Sequence, residues 1–196
     1  MLINMNLSMQ QTLTDKQLEA LPYELGILEL DNPFWQFSLQ QWNNDALQKN
    51  LLKLQNEQGF RINILLFSIW LAFEKKNIHA HLATIIRSTE QWHTQVVHPL
   101  RQVRKNLPQI LPKPSLKAQI QQSELQAEQI EQAILYRCSL SIPKIESTHL
   151  NSLQILAKNL FVSALSKSDL LLIIQACLPV HPLHHIEQCI EEISPS

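Results

Sequence analysis

Only two glycines, Gly26 and Gly59, stand in a chain of 196 residues, where an ordinary composition of roughly 7% would supply several times as many. Glycine turns tight hairpins through positive φ and lets a backbone close around phosphate. Sandwiches, barrels and glycine-loop nucleotide folds are therefore poorly served by this chain. The aliphatic residues point the same way: 34 Leu and 20 Ile, with 22 Gln, stand against 5 Val, a set that suits helices better than strands. The expected fold class is all-α, a compact multi-helix bundle without an internal repeat.

A net charge of -1 and a pI near 6.7 give no global field toward nucleic acid or an acidic membrane face. The three cysteines, Cys138, Cys177 and Cys189, form no CxxC pair. The start MLINMNLSMQQTLTDK lacks a basic segment followed by an apolar run and a cleavage site. These features are those of a reduced cytoplasmic protein. The most apolar stretches, 62–73 and 170–178, fall short of the roughly 20 residues that cross a bilayer, and they read as core helices.

Capping signals and apolar spacing divide the chain. Residues 1–13 read as a mobile lead-in, 14–138 as a helical core, and 139–196 as a C-terminal helical extension packed on it. Thr14 with Gln17 forms a candidate capping box ahead of Leu18, Leu21, Leu25 and Leu28. Asn32-Pro33 starts an aromatic helix, because Asn caps and Pro is tolerated at the first helical position. A helix over about 44–58 is set to end at Gly59 in the left-handed conformation. The run RINILLFSIWLAFEKK, 61–76, is apolar almost all round and should be the central post. A helix from Ile78 is expected to kink or break before Pro99, and Pro108, Pro112 and Pro114 mark a linker. Beyond it, Leu116, Ile120, Ser123, Ala127, Ile130 and Ile134 form a coiled-coil-like seam. Thr148 and Ser168 are candidate caps for the next two helices, and a last one spans about 183–193.

The sequence FWQFSL at 34–39, then Leu54-Gln55, Gly59, Asn63, Leu65-Leu66-Phe67 and Trp70-Leu71, resembles a bacterial family of uncharacterised proteins, DUF2390. The resemblance continues through Trp92, Val96-Val97, Pro99-Leu100-Arg101 and Arg104-Lys105 into Glu124-Leu125, Glu128 and Glu131, over about 32–136. It departs at Asn43-Asn44-Asp45, where the family has a Pro-Gly-Val turn. The resemblance implies an α-helical fold and brings no established activity with it.

Several groups are candidates for function. Phe34, Trp35, Phe37, Trp42, Trp70 and Trp92 are read first as core and only second as a ligand cage. Asn63, inside an apolar helix, must bond a backbone group, a polar side chain or a ligand. Between 87 and 117, six basic residues including Arg101, Arg104 and Lys105 stand against Glu90 alone. Glu124, Glu128 and Glu131 lie along one face of the next helix and can pair with them if the chain folds back at the linker. Cys177, His181, His184, His185 and Cys189 are weak metal candidates whose spacing fits no standard finger, and no metal or cofactor is expected. Ser38 with His93 lacks an orienting acid and oxyanion donors, and no GxSxG, HExxH or P-loop is present. An enzyme is therefore the less favoured class.

The preferred reading is a non-catalytic protein-interaction or adaptor module, with a homodimer through Leu116, Ile120, Ile130 and Ile134 as one form and no membrane partner. RNA binding by the basic segment is the alternative, and a ligand pocket near Asn63, Trp70 and Trp92 is the third.

Overall fold

In the computed structural model, residues 28–107, 114–146 and 151–193 are described. The expected Thr14 helix, the linker prolines 108 and 112, and Thr148 lie outside them. The described helices are α1 (Pro33–Trp42), α2 (Asp45–Gln58), α3 (Ile62–Phe73), α4 (Leu82–Trp92), α5 (His98–Asn106), α6 (Pro114–Ser139), α7 (Ser152–Phe161), α8 (Lys167–Cys177) and α9 (Leu183–Ile193). A 3-10 turn, His79–His81, precedes α4, and a π turn, His93–Val97, joins α4 to α5. No strand forms among the described residues, where Lys76 and Lys144 make an isolated antiparallel bridge. The fold is all-α, as the composition requires.

Local chemistry sets the helix ends. Asn32 Oδ1 accepts the Trp35 amide at 2.9 Å, with Pro33 in the first turn of α1. Asn44 opens α2 with a side-chain cap: its Oδ1 accepts the Leu47 amide at 3.1 Å, while its Nδ2 donates to Ala176 O at 2.9 Å. One asparagine thus starts α2 and ties it to the end of α8. Gly59 ends α2 at φ 75°, the left-handed conformation that spares glycine a Cβ clash. Two expected caps move. Asn151, in a reciprocal capping box with Gln154, starts α7, and Ser166 rather than Ser168 caps α8 through the Asp169 amide at 3.1 Å.

The run that is apolar all round becomes α3, buried at every position from Ile62 to Ala72. Phe34, Phe67 and Trp70 pack against one another with ring centroids 5.2–5.8 Å apart, and Tyr136 of α6 lies 5.9 Å from Trp70. Leu153, Leu156 and Leu160 of α7, Leu170 and Ile173 of α8, and Ile186 and Ile190 of α9 share this core.

Pro99 neither breaks the helix nor opens a loop. The His98 amide bonds back to His93 O in π register, so one extra residue enters the turn just before the ring that lacks an N–H. The apolar seam of α6 also differs from expectation. Its inward face carries Glu124, Ala127, Glu131, Leu135 and Cys138, whereas Leu116 is 44% exposed and Ile120, Ile130 and Ile134 are half-buried. At about 100° per residue, the seam is centred roughly a sixth of a turn from the buried face, and the two share Ala127. The buried face was hidden in the sequence because two of its members are carboxylates.

Asn159 fastens α7 to the post. Fully buried, it accepts the Ile78 amide at 3.1 Å and donates to Ser68 O at 3.2 Å and Lys76 O at 2.9 Å. Asn159→Ala strands three backbone groups and is expected to cost about 3 kcal/mol. Urea unfolding should show a lower midpoint with an unchanged slope. A loss below about 1 kcal/mol would mean that water replaces the amide.

Candidate binding cleft

The chemistry of the bundle concentrates around α6. Glu131, 1% exposed, receives three donors, Arg61 Nη2, Asn63 Nδ2 at 2.6 Å and His93 Nδ1–H at 3.0 Å, and Arg61 also donates to Thr89 Oγ1 at 2.7 Å and Glu90 at 3.1 Å. Three of those contacts meet the carboxylate itself and the others hold its arginine. Because an ionised carboxylate only accepts, the proton of His93 sits on Nδ1. Burial pushes the Glu131 carboxyl up, but the His93 hydrogen bond, the charges of Arg61 and His93 and the Asn63 amide outweigh it and hold it below the ordinary value of 4.5.

One turn toward the start of α6, a second ionic group closes the gap to α5. Arg101 Nε donates to Glu124 Oε1 at 3.1 Å and its Nη2 to Glu128, while Arg104 engages both oxygens of Glu124. Burial works to raise Glu124, yet the hydrogen bonds from Arg104 and Arg101 hold its carboxyl below 4.5; Glu128, more deeply desolvated than it is compensated by Arg101, is raised. Arg101 is 8% exposed.

Between these ion pairs and α1 and α2 lies a cleft of about 500 Å³. Its apolar lining is Trp35, Leu39 and Trp42 of α1, Leu52 of α2, Ile62 and Leu66 of α3, and Leu125 of α6; Asn63, Gln55 and Gln132 supply amides, and the Arg101–Glu124–Glu128 group supplies a charge-compensated wall. Gln132 Nε2 donates to Asn63 Oδ1 at 2.9 Å. Two amide atoms of lining residues, Gln132 Oε1 and Gln55 Nε2, are buried away from solvent without a hydrogen-bond partner within the protein.

The family model described as a protein of unknown function, DUF2390, matches residues 33–135. The chain belongs to the DUF2390 family. No curated protein and no solved structure matches it. The matched segment runs from α1 nearly to the end of α6, so every cleft residue named above falls inside the family region, and α7 to α9 fall outside it.

Of the residues singled out in the sequence, Asn63, Arg101 and Arg104 meet at this cleft. Trp70 and Trp92 do not line it: Trp70 belongs to the aromatic core, and Trp92 donates from Nε1 to Ala127 O at 2.9 Å. Trp35 and Trp42 take their place. Phe34 is core, and Phe37 packs on Phe73. Lys105 bonds Asn56 Oδ1 at 2.8 Å. Glu124 and Glu128 pair with the basic helix across the linker, but Glu131 turns to Arg61 and His93. Ser38 donates to Phe34 O at 2.9 Å and does not meet His93.

Among the described residues no three His, Cys, Asp or Glu side chains are placed to hold a metal. Cys189 is buried, the rings of His184 and His185 lie 4.3 Å apart, and desolvation pushes the Cys177 thiol up to about 12. Arg61, Gln55 and Gln132 were missed in the sequence. Arg61 and Asn63 at the mouth of an apolar helix, opposite an acidic face three helices later, were the available signal.

A group whose carboxyl is depressed on folding contributes stability above its unfolded value, and that stability is lost as pH falls through the folded one. Glu131→Gln is therefore expected to cost about 3 kcal/mol at neutral pH. Chemical denaturation at acid pH, below the ordinary carboxylate range, should find the two proteins nearly equal. An equal gap in both conditions would show that the charge is not what stabilises.

Proposed function

We propose that this chain is a non-catalytic binding protein whose cleft between α1, α2, α5 and α6 takes a small organic molecule. The observation that carries the reading is the cleft itself, about 500 Å³ between helices, whose lining combines the apolar faces of Trp35, Leu39, Trp42 and Leu66 with the charge-compensated Arg101–Glu124–Glu128 group. A volume of about 500 Å³ falls within the usual range of small-molecule sites. The groups that would serve catalysis are engaged elsewhere: Ser38 with its own helix, Glu124 and Glu128 with arginine.

A protein partner is the second reading, favoured by the exposed Leu116 near the start of α6, with Ile120 half-buried beyond it. RNA binding has less support, since Arg101 and Arg104 are already committed to carboxylates. The cytoplasm suits three free cysteines.

The test is a thermal-shift screen of neutral and charged fragments against the wild type and Leu125→Trp, which fills the cleft from its partly exposed rim. A fragment at about tenfold its Kd should add about 1.4 kcal/mol and raise Tm by roughly 3–5 °C, and the substitution should abolish the shift. Absence of any shift, or shifts that survive Leu125→Trp, would defeat the reading.

A further inference from the structure

A guanidinium carries its N–H donors in a fixed plane, and the ion pairs of the cleft wall engage only part of them. Arg101 commits Nε to Glu124 and Nη2 to Glu128, while Arg104 commits Nε and Nη2 to Glu124. The Nη1 amino group of each takes no partner among the described residues, and neither is sealed from solvent. Both arginines line the cleft, and Arg101 is 8% exposed, so its open amino group belongs to a side chain held rigidly by two carboxylates. The two guanidinium groups are neighbours, because Arg101 Nε and Arg104 Nη2 donate to the same oxygen, Glu124 Oε1, at 3.1 and 3.2 Å.

Glu128 is the less satisfied carboxylate of the wall. Arg101 engages one of its oxygens, and burial, with the charges of Glu124 and Glu131, outweighs Arg101 and raises its carboxyl above the ordinary value of 4.5. From α1, α2 and α3 no charged side chain lines the cleft. The wall is therefore neutral with Glu128 ionised and carries one positive charge with Glu128 protonated. Opposite it, Trp35, Leu39 and Trp42 offer an apolar face four and three residues apart on α1.

We propose that the cleft recognises a small monocarboxylate on a flat apolar body, its oxygens accepting from the open Nη1 groups of Arg101 and Arg104 and its body lying against Trp35, Leu39 and Trp42. The inference rests on the cleft being a ligand site and adds the chemistry of the ligand. Glu124 and Glu128 limit the charge that fits, since a dianion exceeds the single positive charge the wall can offer, and a cation would meet two guanidinium groups. A carboxylate arriving beside Glu128 raises that carboxyl further, so binding takes up a proton and tightens as pH falls toward the ordinary carboxylate range.

Benzoate, benzamide and benzylammonium share one ring and differ in the charge they carry. Titrations followed by protein-detected NMR at neutral pH should give benzoate at least about tenfold tighter binding than either of the others. Arg101→Gln should bring benzoate down to the level of benzamide and leave benzamide unchanged. Arg104→Gln, at the more exposed of the two arginines, provides the same comparison should Arg101→Gln fail to fold. Glu128→Gln removes a repelling charge, so it should tighten benzoate at neutral pH and abolish the gain on mild acidification. Equal binding of benzamide and benzoate to the wild type, lost in Leu125→Trp, would overturn the carboxylate assignment while leaving the cleft in place. Tighter binding of benzylammonium, benzoate binding that survives both arginine substitutions, weaker benzoate binding in Glu128→Gln, or no binding of any of the three would overturn it as well. The thermal-shift comparison with Leu125→Trp separately decides whether the cleft binds ligands at all.

Discussion

A carboxylate carried into the middle of a helical bundle must be met by cations and donors, or it leaves the bundle or takes up a proton. Glu131 is met by Arg61 and Asn63 from the start of α3 and by His93 from the π turn, so one side chain brings together three parts of the chain distant in sequence. Apolar packing of Leu and Ile is tolerant of rotation and sliding. A hydrogen-bonded carboxylate is not, because each of its acceptor positions has a direction. The register of α6 against α3 is thus set by Glu131, and the aromatic contacts of Trp70 with Phe34, Phe67 and Tyr136 pack around that register.

The π turn belongs to the same arrangement. In an unbroken α-helix, Pro99 would clash with the carbonyl of residue 95. The inserted turn removes that conflict, and His93, its first residue, reaches Glu131 while Arg101, further along, reaches Glu124 and Glu128. Proline supplies the constraint and the ion pairs supply the compensation. A kink was the expected outcome of the sequence, but the conversion to π register depends on tertiary bonds that local reasoning does not contain.

Much of the fold was legible because its signals are local. The Asn32-Pro33 cap, the Gly59 stop and the all-round apolar α3 each follow from chemistry within a few residues. The inward face of α6 was not legible. Periodicity counts apolar residues, and there Glu124 and Glu131 occupy positions that a pattern search assigns to Leu or Ile, so the seam through Leu116 and Ile130 gave the stronger pattern on the less buried side. The pairing of Arg101 with Glu124 and Glu128 was legible as opposed charge, because the proline linker between the helices makes folding back the economical geometry. The cleft was only partly legible: Asn63 stood out as polar among apolar neighbours, whereas Gln55 and Gln132 were two among 22 glutamines with nothing to mark them.

The cleft persists because its floor and wall are built from groups that cannot collapse inward. Two arginines and two glutamates span the space between α5 and α6, and retracting either helix would separate charges whose partners are already desolvated. On the floor, Asn63 and Gln132 hold positions dictated by Glu131. Moving Gln132 aside would orphan the oxygen of Asn63, and moving Asn63 would expose the Glu131 charge to a lower-dielectric surrounding. Each local relief shifts the cost one residue deeper, until it falls on the carboxylate that fixes the bundle.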